Sequence, residues 1–438
     1  MKARLVPIFF RSANMLEFNE QLECIKKLLW DEASFLEPVM IGSDIPEGDA
    51  VVFPQLIGEA YKSIQDIQKI KYPILLITSG FGTVDMWDWE IATFFKSRGL
   101  NVLTPYNIEL TKTICRTLAL KKEMKQTKFL VFQDNPGDGM QASIFKRFYW
   151  WEDECTQRIK DKFGITIDRR SFKKLAEDAK NISEQEALEV LKIHNPNSQG
   201  LLSKSLVSAS KLYIALKHEI DGDENIQGAG INCLNESMYS DTTPCLAWDI
   251  LFEEKGIMWA CEADTMSLLT QYLLYKSIKQ PVMTSNIYPF LIGKTALKHE
   301  KIEEFPNVDD PENYLLIAHC GYFGLMPRVF SSEWALKPKV LDIVDNNAVA
   351  VDARFAEGEV TIAKLHPSLD KLQVVEGVLE KYVKYPKSHC KNGGLIKIKD
   401  GRKLMNSFYS HHSSIMTGKR SVEIEMMSKI LALNVEEV

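Results

Sequence analysis

Several marks of particular protein classes are missing from this chain. No stretch of its 438 residues reaches the roughly 18 consecutive apolar positions of a membrane span, so no spanning helix is expected. The apolar start at 5–10 is too short for a secretory signal and is interrupted at Arg11. Its eight cysteines, at 24, 115, 155, 233, 245, 261, 320 and 390, contain no Cys-x-x-Cys pair and no regular spacing. That excludes a zinc ribbon and a disulfide framework, and it points to a reduced, cytoplasmic setting. A basic face is also missing. The net charge of -6 is spread along the chain, which argues against nucleic acid or an anionic membrane as partner. The turn Ser79-Gly80-Phe81-Gly82-Thr83 lacks the third glycine of a dinucleotide fingerprint, and no Gly-x-x-x-x-Gly-Lys occurs, so a nucleotide cofactor is not expected.

What is present is an ordinary globular composition in a chain too long for one core, so two or three domains are expected. The first third alternates apolar strands at 5–10, 50–53 and 74–78 with amphipathic helices at 16–30 and 57–70. Such alternation predicts a parallel sheet covered by helices, with ligands beyond the carboxyl ends of the strands, where Arg11, Gln55 and Ser79 stand. A second alternating unit runs from about 165 to 285. It contains a capping box at Ser183 and Glu186, a long helix over 202–220, and strands over 228–234 and 256–261. From about 286 the pattern changes to short strands at 314–318, 349–355, 359–364 and 395–399, with a turn at Asp400-Gly401. Such spacing predicts an antiparallel barrel or sandwich. The expected domains are therefore 1–165 (α/β), 166–285 (α/β) and 286–438 (β-rich).

Glu236, in Cys233-Leu-Asn-Glu236-Ser-Met, and Glu262, in Trp259-Ala-Cys261-Glu262-Ala-Asp264, each sit in an apolar, thiol-rich setting at the end of a predicted strand. An ionised carboxylate in such surroundings needs a cation, either an Arg or Lys in a seam between domains or a divalent metal. His411-His412 is the only adjacent histidine pair, in a segment rich in serine, and reads as a polar loop or as a metal donor. Two carboxylates with an imidazole favour a mid-series divalent ion, Mn²⁺ above others. Trp87 and Trp89 alternate with acids over 85–90, which suits a sugar platform or, equally, a helix start with an acidic first turn.

Taken together, Leu-Asn-Glu236-Ser, Ala-Cys-Glu262-Ala-Asp-Thr and the late His411-His412 resemble the L-fucose isomerase and L-arabinose isomerase superfamily. The resemblance covers the order of elements along essentially the whole chain. It implies two doubly wound α/β domains followed by an antiparallel β-barrel domain, closed homo-oligomers such as trimers or hexamers, and a Mn²⁺ site shared with a sugar. By motif, Glu236 and Glu262 would be metal ligands and acid/base groups, and His412 the third ligand, with His411 as the close alternative. A further histidine of some relatives has no counterpart around Asn286-Ile-Tyr-Pro289, and His319 is the nearest substitute. Asp264 is an alternative member of the metal set. Arg11, Gln55, Trp87 and Trp89 are candidates for holding sugar hydroxyls. The implied reaction moves a proton between C1 and C2 of a pentose or 6-deoxyhexose through an enediolate. The competing readings are a non-catalytic sugar-binding or sensing protein of the same fold, and a sugar epimerase.

Overall fold

The computed structural model describes residues 1–10, 15–56, 60–134, 143–298, 301–385 and 387–438. Two units make up the chain. One comprises residues 1–124 together with 276–278 and 422–433, and the other comprises 125–275, 279–421 and 434–438.

The first unit is built on a parallel sheet whose strands lie in the order Ala33–Phe35, Ala3–Phe9, Ala50–Phe53, Ile74–Leu76 and Val102–Leu103. Val39–Met40 adds to the far end of Ala3–Phe9. These strands are apolar at nearly every position because both faces are covered. Ala3, Leu5, Ala50, Val52 and Leu75 enter one core with Ile114, Leu118, Met426 and Ile430. Their neighbours Val6, Ile8, Val51, Phe53, Ile74 and Leu76 enter the other core with Ile67, Ala92 and Phe95. This strict alternation is what a two-sided parallel sheet requires. The helix expected over 57–70 is shorter among the described residues, where a 3-10 turn Ala60–Ser63 leads into Ile64–Ile67.

The second unit contains a four-stranded parallel sheet in the order Met258–Cys261, Ile226–Ile231, Lys128–Phe132 and Thr166–Arg170. Its strand Lys128–Phe132 lies upstream of the changeover expected near 165. A short apolar run does not say which sheet it joins, and pairing with Thr166–Arg170 decides it here. Chain order reverses between Lys128–Phe132 and Ile226–Ile231, so the crevice beyond their carboxyl ends is the switch point of a doubly wound sheet. The Ser183–Glu186 capping box forms as expected at the start of Glu184–His194.

The C-terminal part of this unit is a closed six-stranded antiparallel barrel. Its strands run Gly358–Leu365, His412–Thr417, Val282–Pro289, Tyr314–Ala318, Asn392–Ile398 and Lys371–Lys384, and the last pairs back to the first. Asn434–Glu437 adds parallel to Lys371–Lys384. Three details differ from the sequence reading. The segment at 349–355 contributes Val349–Arg354 to a separate two-stranded ribbon with Glu333–Pro338. Asp400 does not turn a hairpin but caps the short helix Gly401–Asn406, accepting from the Lys403 amide. His412 is not in a loop, because it opens a barrel strand and lies opposite Asn286. Among the described residues no helix is long and apolar enough to cross a membrane.

Candidate active site

Ile226–Ile231 and Met258–Cys261 lie side by side, with Cys261 level with Ile231, so both carry their following residues to the same rim. After the first strand a turn closes through Glu236 N–H donating to Asn232 C=O at 3.1 Å. It buries Glu236 almost completely, and both carboxylate oxygens accept the Asp134 amide, at 2.9 and 3.0 Å. Asp134 follows the neighbouring strand Lys128–Phe132. Glu236 is therefore fixed across the switch-point crevice itself, where α/β sheets bind ligands.

After the second strand the backbone turns through two left-handed residues, Glu262 (φ 55°) and Ala263 (φ 58°). Each such residue costs of order 1–3 kcal/mol unless its surroundings enforce it. Enforcement here is steric and polar. Gly230 leaves room for the turn, since a Cβ there would lie 3.1 Å from Ala263 Cα, and Asp264 then caps the helix Thr265–Ile278 by accepting from Ser267 N at 2.8 Å. Burial pushes the Glu262 carboxyl above its ordinary range. His412 and His319 pull it down, while Cys320 and Asp264 push it further up. A carboxyl held in this way exchanges protons more readily near neutral pH than a surface glutamate.

His412 is buried, and its Nδ1 lies 2.8 Å from Asp264 Oδ2. The indole of Trp150 lies nearly parallel to its ring, with centroids 6.4 Å apart, and the His319 ring is at 6.0 Å. Burial most strongly opposes ionisation of Asp264. The Lys364 ammonium, the His412 contact and the Ser267 amide outweigh it and hold the carboxyl below the usual range. Lys364 reaches this carboxylate at 3.5 Å and donates to Ser267 Oγ at 2.7 Å, and Ser267 Oγ donates to Asp264 Oδ2 at 2.7 Å.

His411 packs against His412, with centroids 4.3 Å apart, and against Phe145 at 6.0 Å. Burial and the nearby His412 and Lys364 keep its imidazole well below the ordinary histidine range, hence neutral. His319 behaves in the opposite way. Burial disfavours its charge, but Cys320, whose Sγ lies 4.0 Å from Nε2, and then Glu262 raise it to about 9. The thiol-rich character read from the sequence is also spatial, since Cys261 hydrogen-bonds with Cys233 and Cys320, and these contacts together with burial raise its thiol.

The structure thus brings Glu262, His319, His411, His412 and Asp264 together and sets Glu236 on the same rim. Among the described residues no group of three or more His, Cys, Asp or Glu side chains is arranged to hold a metal ion. Gln55, Trp87 and Trp89 belong to the first unit, and Arg11 lies outside the described residues. Gln55 donates to Glu17 at 3.1 Å. Trp87 is 83% exposed, and Trp89 packs against the apolar cluster around Phe95. Asp85 caps the turn that starts there, so a helix-start role is realised for this segment.

Sequence reasoning missed Lys364, Ser267 and Trp150. One signal was available for the first, because Lys364 continues the buried register of Val360 and Ile362 along one strand, where a lysine needs a partner. Asp264-Thr-Met-Ser267 also has the form of a helix cap. No family model and no curated protein matches the chain.

Proposed function

We propose that this protein is a divalent-metal-dependent aldose–ketose isomerase acting on a pentose or 6-deoxyhexose through an enediolate. The observation that carries the reading is the buried contact of Asp264 with His412 beside Glu262, whose carboxyl burial holds high. A metal-ligating histidine typically gives its other ring nitrogen to a carboxylate, and His412 has that arrangement. A carboxyl raised by burial is also one that a cation would relieve. The donor types therefore suit a divalent ion, which would have to draw the three side chains together, since no such cluster is preformed among the described residues.

Glu236, Glu262 and His412 would hold it, with Glu236 exchanging the Asp134 amide for the ion. When bound, the cation supplies positive charge to two neighbouring sugar oxygens and spreads the charge that develops on them. Glu262 is the group suited to take the proton from one sugar carbon and return it to the next, and Glu236 acts from the neighbouring strand end as its counterpart. His411, neutral and buried, lines the same rim as a hydrogen-bonding group rather than a charge.

A sugar-binding protein without a metal is the second reading. It is favoured by one observation, the carboxylate of Glu236 already satisfied by the Asp134 amide. One experiment separates the two. The full chain is treated with EDTA, its melting is followed with and without added Mn²⁺, and ketose formation is assayed over a panel of pentoses and 6-deoxyhexoses. The isomerase reading expects Mn²⁺ to raise the melting temperature and at least one aldose to be converted. Unchanged melting with sugar binding but no conversion would establish the second reading instead.

A further inference from the structure

We propose that Asp264 and Lys364 are positioning residues, which lock His412 as the tautomer protonated on Nδ1 and so leave its Nε2 bare in a ring of fixed plane. The inference deepens the isomerase reading and rests on it for its consequence in metal binding. Its structural core stands separately.

Three stretches distant in sequence meet at one carboxylate. Asp264 caps a helix of the parallel-sheet layer, Lys364 comes from the barrel strand Gly358–Leu365, and His412 opens the barrel strand His412–Thr417. Oδ1 of Asp264 accepts the Ser267 amide at 2.8 Å. Oδ2 takes the Ser267 hydroxyl at 2.7 Å, His412 Nδ1 at 2.8 Å and the Lys364 ammonium at 3.5 Å. Both oxygens are occupied by donors, one of them the imidazole, so Asp264 stands as the partner of the histidine. Because an ionised carboxylate only accepts, the proton in the Asp264–His412 contact resides on Nδ1. Trp150, lying within 15° of parallel, restrains the plane of the ring, and the helix cap restrains Asp264 itself.

Lys364 holds the carboxylate in place. Its ammonium lies 3.5 Å from Oδ2, so without it a carboxylate of 2% exposure would lose its cation and the Ser267 hydroxyl would lose the donor that turns it towards Asp264. Ser267 joins the two ends of the device, since its hydroxyl accepts from Lys364 and donates to Asp264. A buried salt bridge kept only for stability would have no need of a histidine on the same oxygen.

The test is ¹⁵N histidine NMR on the metal-free full chain at mildly alkaline pH, with the His412 signals assigned by loss in His412→Gln. The expected result is a neutral ring with Nδ1 protonated and Nε2 bare. In Asp264→Asn and Lys364→Met the ring should pass to a tautomer mixture, and calorimetric Mn²⁺ affinity should fall by about 10- to 100-fold, the range for a supporting partner of a ligating histidine. Should Lys364→Met fail to fold, Ser267→Ala keeps both charges and is expected to weaken Mn²⁺ binding several-fold. A wild-type ring protonated at Nε2, or a tautomer unchanged in Asp264→Asn, overturns the inference. A wild type that binds no Mn²⁺ overturns the isomerase reading instead, and the tautomer measurement still decides this one.

Discussion

Nδ1 of His412 and Oδ2 of Asp264 lie 2.8 Å apart, while the adjacent imidazole of His411 packs against Phe145 and is kept neutral by burial. Two consecutive histidines are thereby given different duties, and substitution should separate them. His412→Gln is expected to weaken Mn²⁺ binding by more than about a hundredfold, beyond the loss typical of a supporting residue, whereas His411→Gln should leave it within a few fold. Calorimetric titration of the two variants checks this, and equal losses would reassign the ligand.

Glu262→Gln should lower turnover by about 10²–10⁴-fold on whichever sugar is converted, as expected for a positioned acid/base. The same change should raise the stability of the metal-free protein near neutral pH. A carboxyl whose folded pKa is raised loses folding stability as pH climbs from its unfolded value through its folded one, and glutamine removes that loss. Unfolding by denaturant at two pH values, beside the activity assay, reads both effects.

Asp249 offers a pH test away from the candidate site. Its carboxyl is buried and raised to about 7, chiefly by burial, with the Arg328 amide and guanidinium opposing and Glu253 adding to the rise. Below the ordinary carboxyl range both folded and unfolded chains are protonated there. Between that range and about 7 only the unfolded chain ionises, so stability falls as pH rises and levels off above. Asp249→Asn, still able to accept from the Arg328 amide, should therefore stabilise the protein more at pH above 7 than near 5. Melting curves across this interval check the slope.

Gly321 follows His319 and Cys320 with φ +99°, and a Cβ there would lie 2.5 Å from Val340. Gly321→Ala is expected to destabilise by about 1–3 kcal/mol through overpacking, with left-handed strain in addition. It should also disturb the His319–Tyr322 bridge. Lower melting, together with a shift of the His319 titration from about 9 towards the ordinary histidine value, would report both.

How much of this was legible beforehand depended on the range of the interactions involved. Strands such as Ile226–Ile231 and Met258–Cys261 announce themselves locally, because they are short apolar runs closed by a polar residue, and Glu236 and Glu262 follow from them. The Ser183 cap is equally local. Barrel closure is not, because Val282–Pro289 finds Tyr314–Ala318 on one side and His412–Thr417 on the other. Ser413 and Ser414 made that last strand look like a loop, yet both are buried in the barrel. Lys364 is about a hundred positions from Asp264, and no local pattern links them.

The path of the last residues has a consequence for how the chain matures. Residues 422–433 belong to the first unit, where Met426 and Ile430 complete a core otherwise assembled from 3–119, and 434–438 then return to the barrel of the second. Domains usually finish in order as they leave the ribosome. Here the unit built on residues 1–124 keeps part of its hydrophobic surface uncovered until residues 422–433 have been made. Synthesis of that distant helix, rather than of the N-terminal third alone, sets the moment at which the core can close.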